Sequence, residues 1–106
     1  MARPAAEAAL AKAGEKYQTA LTIKSDLPDA LHGLGNVIFE QARRSSGDKA
    51  TELLAKAAEK YDAVLEKRAD YVFALNGAGN VLFEQGRRAP DKLRQGLRSR
   101  LGRGAL

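Results

Sequence analysis

At 106 residues the chain is long enough for one domain with a modest core. It has no cysteine, which excludes a disulfide framework and thiolate metal ligation, and no apolar run approaches the ~20 residues of a membrane-crossing helix; an intracellular, cytoplasmic protein is expected. The net charge of +5 is uneven: residues 87–106 carry seven basic groups against Asp91, while the other eleven basic and twelve acidic residues sum to −1, so the body is neutral and the tail cationic.

Helical signals run through the body in chain order. From Pro4, suited to a first turn, small and apolar residues recur at Ala6, Leu10, Ala13, Tyr17, Ala20 and Leu21, a three-and-four spacing that predicts a helix near residues 4–24. This Ala-rich start is expected to be part of the fold and not a targeting segment, because Glu7 and Glu15 interrupt it and its residues from Leu10 onward recur from Leu54 onward. Ser25-Asp26-Leu27-Pro28 then breaks the chain, with Asp26 as N-cap and Pro28 in the first turn of a second helix, 27–44, striped by Leu31, Leu34, Gly35, Ile38 and Ala42. Ser45-Ser46-Gly47-Asp48 reads as a loop, with Gly47 as a stop and Asp48 or Ser46 as the next cap. A third helix, 48–68, carries Ala50, Leu54, Ala57, Tyr61, Val64 and Leu65 on one stripe. A fourth, 71–88, carries Leu75, Ala78, Gly79, Leu82 and Gly86, with Asp70 as the counterpart of Asp26. Ala89-Pro90-Asp91 opens a fifth, 90–101, in which Leu93, Leu97 and Leu101 share a face. No stretch alternates with period two, so the fold class expected is all-α with about five antiparallel helices and no sheet.

Shifted by 44 positions, residues 10–44 fall on residues 54–88 with 20 of 35 identical. The matches include Leu10/Leu54, Tyr17/Tyr61, Gly33/Gly77, Gly35/Gly79, Asn36/Asn80, Glu40/Glu84 and Arg44/Arg88. A period of roughly 20 to 50 residues means stacked supersecondary units, each too small to bury its own apolar face alone.

On these residues the chain resembles the tetratricopeptide repeat (TPR) family. Leu31-His32-Gly33-Leu34-Gly35-Asn36-Val37-Ile38 is similar to the family's first helix and Ala57-Ala58-Glu59-Lys60-Tyr61 to the core of its second, with Leu75–Leu82 and Ala13–Tyr17 as the other copies. The departures are Leu31 and Leu75 in place of the usual aromatic, Ser25 or Ala69 in place of the terminal proline, and ten extra residues around Arg43–Thr51. That insertion implies helices longer by about 15 Å in total at ~1.5 Å per residue, as in a lengthened TPR-like variant. The resemblance implies an α-solenoid of helical hairpins over residues 1–88, closed by a basic C-terminal capping helix and tail over 89–106. In the family's register the chain begins with a second-type helix and holds a single complete first-second pair. Such arrays need about three repeats or caps, so the ends are capped by the tail, pair with another chain, or continue a longer array.

The same resemblance implies that the first-type helices line a concave groove for an extended peptide. Its lining would be His32, Asn36, Phe39 and Glu40 in one repeat and Asn76, Asn80, Phe83 and Glu84 in the next, with Asp29 and Phe73 near the helix starts. An Asn amide offers two donors and an acceptor, so Asn36 and Asn80 can bond a ligand's main chain whatever its side chains; the bland reading is that each bonds a neighbouring carbonyl or water. Phe39 and Phe83 are either apolar anchors for a partner or buried against the adjacent helix. His32 and Asn76 stand where family members that clamp an acidic C-terminal tail place Lys or Arg, which argues against a dicarboxylate clamp.

Other chemistry finds little support. Gly33-Leu34-Gly35 and Gly77-Ala78-Gly79 open like a dinucleotide loop, but no strand precedes them and they lie inside helices, where glycine permits close helix contact. Asp29 and His32 sit one turn apart, yet their copies are Phe73 and Asn76 and no second His exists, so no metal or other cofactor is expected. The carboxylates read as i,i+4 partners of lysine, as in Glu52/Lys56. With one His and no nucleophile-base set, catalysis and a small-molecule substrate are not expected. In the tail, Arg94, Arg98, Arg100 and Arg103 could meet the phosphates of nucleic acid or an acidic membrane, without aromatic residues to stack bases. The function expected is a non-catalytic module binding a protein or peptide partner; the alternatives are a homo-oligomer built through open repeat ends and an anion-binding accessory protein.

Overall fold

The computed structural model describes residues 3–89. Over these the chain forms four helices, α1 (Arg3–Ile23), α2 (Pro28–Arg43), α3 (Gly47–Lys67) and α4 (Val72–Arg87), and no strand occurs among the described residues. The fifth helix expected at 90–101 lies outside them, as do Arg94, Arg98, Arg100 and Arg103.

The helix limits follow the stripes, but the caps differ from expectation. The residue bounding α2 is Leu27 (φ −65°, ψ 115°), with no side-chain cap, and the one bounding α4 is Tyr71 (φ −70°, ψ 100°), so Asp26 and Asp70 each sit one position too far out. Proline at the first helical position disfavours an α conformation for the residue before it, which makes Leu27 the half-in residue of α2. Ser46 does bound α3, in extended geometry and without a capping side-chain bond. Gly47 takes φ +62°, a left-handed conformation open to glycine, and reverses the chain between α2 and α3. The ion pairs differ as well. Those among the described residues join Glu40 to Arg43 and Arg44, and Glu84 to Arg87 and Arg88, rather than Glu to Lys.

α1 packs on α2, α2 on α3, α3 on α4, and α2 also touches α4, whereas α1 meets neither α3 nor α4. The four helices are therefore an open row and not a closed bundle. Their core runs through Leu21, Ala30, Leu31, Leu34, Ala42, Leu54, Ala57, Tyr61, Val64, Ala74 and Val81. Alanine at four of the eleven positions lets helix axes approach closely, and Tyr61, 1% exposed, supplies the bulk at the centre. Its ring stands in a slot made by glycines on both flanking helices. A Cβ added at Gly35 would lie 2.8 Å from the ring and one at Gly77 2.5 Å. Burying a side chain of this size stabilises by about 2 kcal/mol, and burial pushes its hydroxyl pKa up to about 12. Among the described residues no helix is long and apolar enough to cross a membrane.

Candidate functional site

The contact between α2 and α4 brings the equivalent helices of the two sequence copies side by side. Successive turns of α2 carry Asp29, His32 and Asn36, and those of α4 carry Phe73, Asn76 and Asn80. At the start of α4 the aromatic side chains gather around His32. Its ring centroid lies 5.7 Å from Phe73, 6.1 Å from Tyr71 and 6.2 Å from Tyr61, and Tyr71 and Phe73 meet edge to face at 6.0 Å. The Tyr71 hydroxyl donates to Asp29 Oδ1 at 2.6 Å and the Arg68 guanidinium covers its ring at 5.0 Å. The hydrogen bond to Asp29 holds the Tyr71 proton and raises that hydroxyl's pKa, with desolvation adding to it. Phe73 nevertheless leaves 66% of its surface in water, so the cluster is an exposed aromatic ledge spanning two helices.

The two asparagines, equivalent in sequence, are chemically different in place. The Tyr61 hydroxyl passes between Gly35 and Gly77 and donates to Asn36 Oδ1 at 2.6 Å, while Asn36 Nδ2 stands 3.2 Å from His32 Nε2. With the amide donating, His32 carries its proton on Nδ1. Asn80 is exposed and its side chain has no hydrogen-bond partner among the described residues. Asn76 is likewise exposed, His32 half-buried. Phe39 is half-buried against the core, while Phe83 is 73% exposed.

Glu40 and Glu84 belong to a different device, at the C-terminal ends of the helices. Glu84 is buried and both its oxygens are taken, by Arg87 (Nη2 at 2.6 Å, Nε at 3.1 Å) and by Arg88 Nε at 2.6 Å. With Nε so held, the Arg88 fork reaches back to α2, donating to the carbonyls of Ser45 (3.2 Å), Arg43 (3.2 Å) and Ala42 (3.4 Å). These carbonyls lie at and just past the end of α2, where that of Ala42 also accepts from the Ser45 N–H at 3.0 Å, and a cation there interacts favourably with the helix dipole. The bonds from Arg87 and Arg88 hold the Glu84 carboxyl down at about 2 despite its burial. Glu40 makes the same bonds with Arg43 (3.3 Å) and Arg44 (3.2 Å), but is half-buried.

The ledge thus unites His32, Asn36 and Asp29 with Phe73, and adds Tyr71 and Tyr61, which the residue spacing did not single out, while Asn76 and Asn80 lie exposed on later turns of α4. Tyr61 carried a readable signal, since Tyr17/Tyr61 recur in step with Gly33/Gly77 and Gly35/Gly79. Tyr71 carried none, because its counterpart is Leu27. Among the described residues no group of three or more His, Cys, Asp or Glu could hold a metal ion. No family model matches the sequence, and no curated protein or solved structure matches it either.

Proposed function

We propose that the chain is a non-catalytic interaction module, a TPR-like stack of helical hairpins whose α2–α4 face takes an extended peptide. The observation that supports this most is the exposed ledge itself. A two-thirds exposed phenylalanine packed on His32 gives an apolar foothold, and Asn80, two turns further along α4, offers two N–H donors and an acceptor for a ligand's main chain. Asn36 contributes differently, since its oxygen already accepts from Tyr61 and one amide hydrogen is directed at His32 Nε2, which leaves a single N–H for a ligand. No cationic residue stands next to either asparagine on its helix, which favours a ligand recognised by backbone and apolar side chains over one recognised by clustered carboxylates.

A random-peptide display selection on the immobilised protein, followed by titration of the enriched sequences, tests the reading. Micromolar binders are expected, weakened about tenfold or more by Phe73→Ala and by Asn80→Ala, with unchanged circular dichroism; losing one anchor on this scale corresponds to about 1.4 kcal/mol. Peptides indifferent to both substitutions, or no enrichment, would refute it.

A further inference from the structure

Beyond that peptide face, the two edges of the helix row carry features that match each other, and the geometry points to a second copy of this chain as their occupant, docked head to tail so that its α1 covers α4 as α3 covers α2. The argument begins with what α3 does inside the chain. α3 inserts Tyr61 between Gly35 of α2 and Gly77 of α4, its hydroxyl reaches Asn36, and from the end of α4 Arg88 closes the carbonyls at the end of α2.

Each half of that arrangement recurs, unpaired, at an edge. On α4, Gly79 stands where Gly35 stands on α2, yet a Cβ there would meet nothing within 4 Å among the described residues: the slot is present without a ring in it. Leu75 beside it is 50% exposed, against 8% for its counterpart Leu31, and Asn80 has no hydroxyl donor. On α1, Tyr17 is the counterpart of Tyr61. It fills only one side of its slot, against Gly33, and remains 36% exposed where Tyr61 is 1% exposed. Arg44 repeats Arg88: its Nε is on Glu40 at 3.2 Å, and its two terminal nitrogens have no partner among the described residues. It lines a cleft of about 410 Å³ with Glu7 and Leu10 of α1.

A neighbouring chain displaced by two repeats, the length of one chain, satisfies all of these together. Tyr17 enters the slot at Gly79 and donates to Asn80, and Arg44 takes the carbonyls at the end of α4. Residues 89–106 contain no aromatic residue that could fill the Gly79 slot in Tyr17's place. Because the two surfaces differ, the contact is heterologous and does not close on itself by a two-fold axis, so association continues past the dimer.

Light scattering on the full chain across concentration reads this out. The mass of the wild type is expected to rise from 11.4 kDa past twice that value with no plateau at the dimer. Gly79→Leu puts a side chain in the slot with nothing to strike among the described residues of its own chain, and should weaken association about 100-fold or more, a factor that overpacking of a filled slot supplies. Arg44→Glu blocks the other edge on an exposed side chain. Each variant alone should remain monomeric, and an equimolar mixture, having one intact edge of each kind, should form dimers and nothing larger. A wild type that stays monomeric at millimolar concentration, as it would if residues 90–106 covered α4, overturns the inference. So does a dimer indifferent to Gly79→Leu, or a mixture of the two variants that does not pair.

Discussion

The glycine slots yield a prediction in which one chemical change has opposite signs at two equivalent positions. Gly35 and Gly79 occupy the same place in the two copies and both lie inside helices, where replacing glycine by alanine stabilises by about 1 kcal/mol through backbone entropy. At Gly79 nothing opposes that gain, since an added Cβ meets no atom within 4 Å among the described residues. At Gly35 the same methyl would stand 2.8 Å from the Tyr61 ring, about 1 Å inside the contact optimum, and Tyr61 is 1% exposed with the α4 glycine behind it. Overpacking of this kind costs about 1–3 kcal/mol, enough to cancel the entropic gain and reverse it. Gly77, at 2.5 Å from the same ring, should be worse. The expected order of stability is therefore Gly79→Ala above wild type, with Gly35→Ala and then Gly77→Ala below it. Urea unfolding followed by circular dichroism at low protein concentration, where association is absent, measures it directly. For a domain of this size 1 kcal/mol corresponds to roughly 4–8 °C in Tm, so the two ends of the series are well separated. If Gly35→Ala stabilises as much as Gly79→Ala, the slot is not closed around Tyr61 and the packing argument is wrong.

Three further outcomes follow from the polar contacts. Arg88→Met keeps the apolar stem but removes three carbonyl bonds and one partner of buried Glu84; it should destabilise by about 2–3 kcal/mol. Arg44→Met, whose one side-chain partner Glu40 is only half-buried, should change monomer stability by less than about 0.5 kcal/mol, and thermal melts of the pair compare them. The Glu84 carboxyl, held at about 2 against 4.5 when free, adds on the order of 3 kcal/mol that is fully present above pH 4.5 and is lost as pH falls from there toward 2. The melting temperatures of wild type and Glu84→Gln should therefore converge below pH 4, and parallel curves would show that the ion pairs do not carry this acid sensitivity. Tyr61→Phe removes the donor to Asn36 Oδ1 and should cost about 1 kcal/mol in urea unfolding, because water can reach exposed Asn36 and replace it.

Helix limits were legible in the sequence because apolar stripes, Pro28 and Gly47 are local signals. The caps were not, since Leu27 and Tyr71 bound their helices through the constraint of Pro28 and through ring packing, neither of which makes a polar side chain the boundary. The close contacts at Gly33, Gly35 and Gly77 were readable as contacts, and the identity of the rings that fill them was implicit in the recurrence of Tyr17 and Tyr61. Glu84 is the sharper case. Register alone put it on the ligand-facing side with Glu40, but Arg88 crosses more than forty positions of sequence to close α2, and the charge that neutralises such a cation at a helix junction has to be buried with it. The ledge at His32 escaped the sequence reading in part for the same reason: Tyr71 lies 42 positions from its partner Asp29.

Asn36 and Asn80 show how position within the row converts one residue type into two chemistries. An asparagine flanked on both sides by repeat neighbours has its oxygen taken by the tyrosine between them, and the one on the last described helix does not. The peptide reading and the head-to-tail reading consequently meet on the same atom, because an incoming Tyr17 would use Asn80 Oδ1 as Tyr61 uses Asn36 Oδ1. A ligand that needs the Asn80 oxygen must oppose association, and by linkage association must weaken that ligand by the same factor. A ligand held through an amide N–H alone escapes this competition, since Asn36 keeps one N–H beyond its contact with His32 even with Tyr61 in place. The presence or absence of coupling between peptide affinity and chain association therefore reports which atoms of the asparagine the ligand uses.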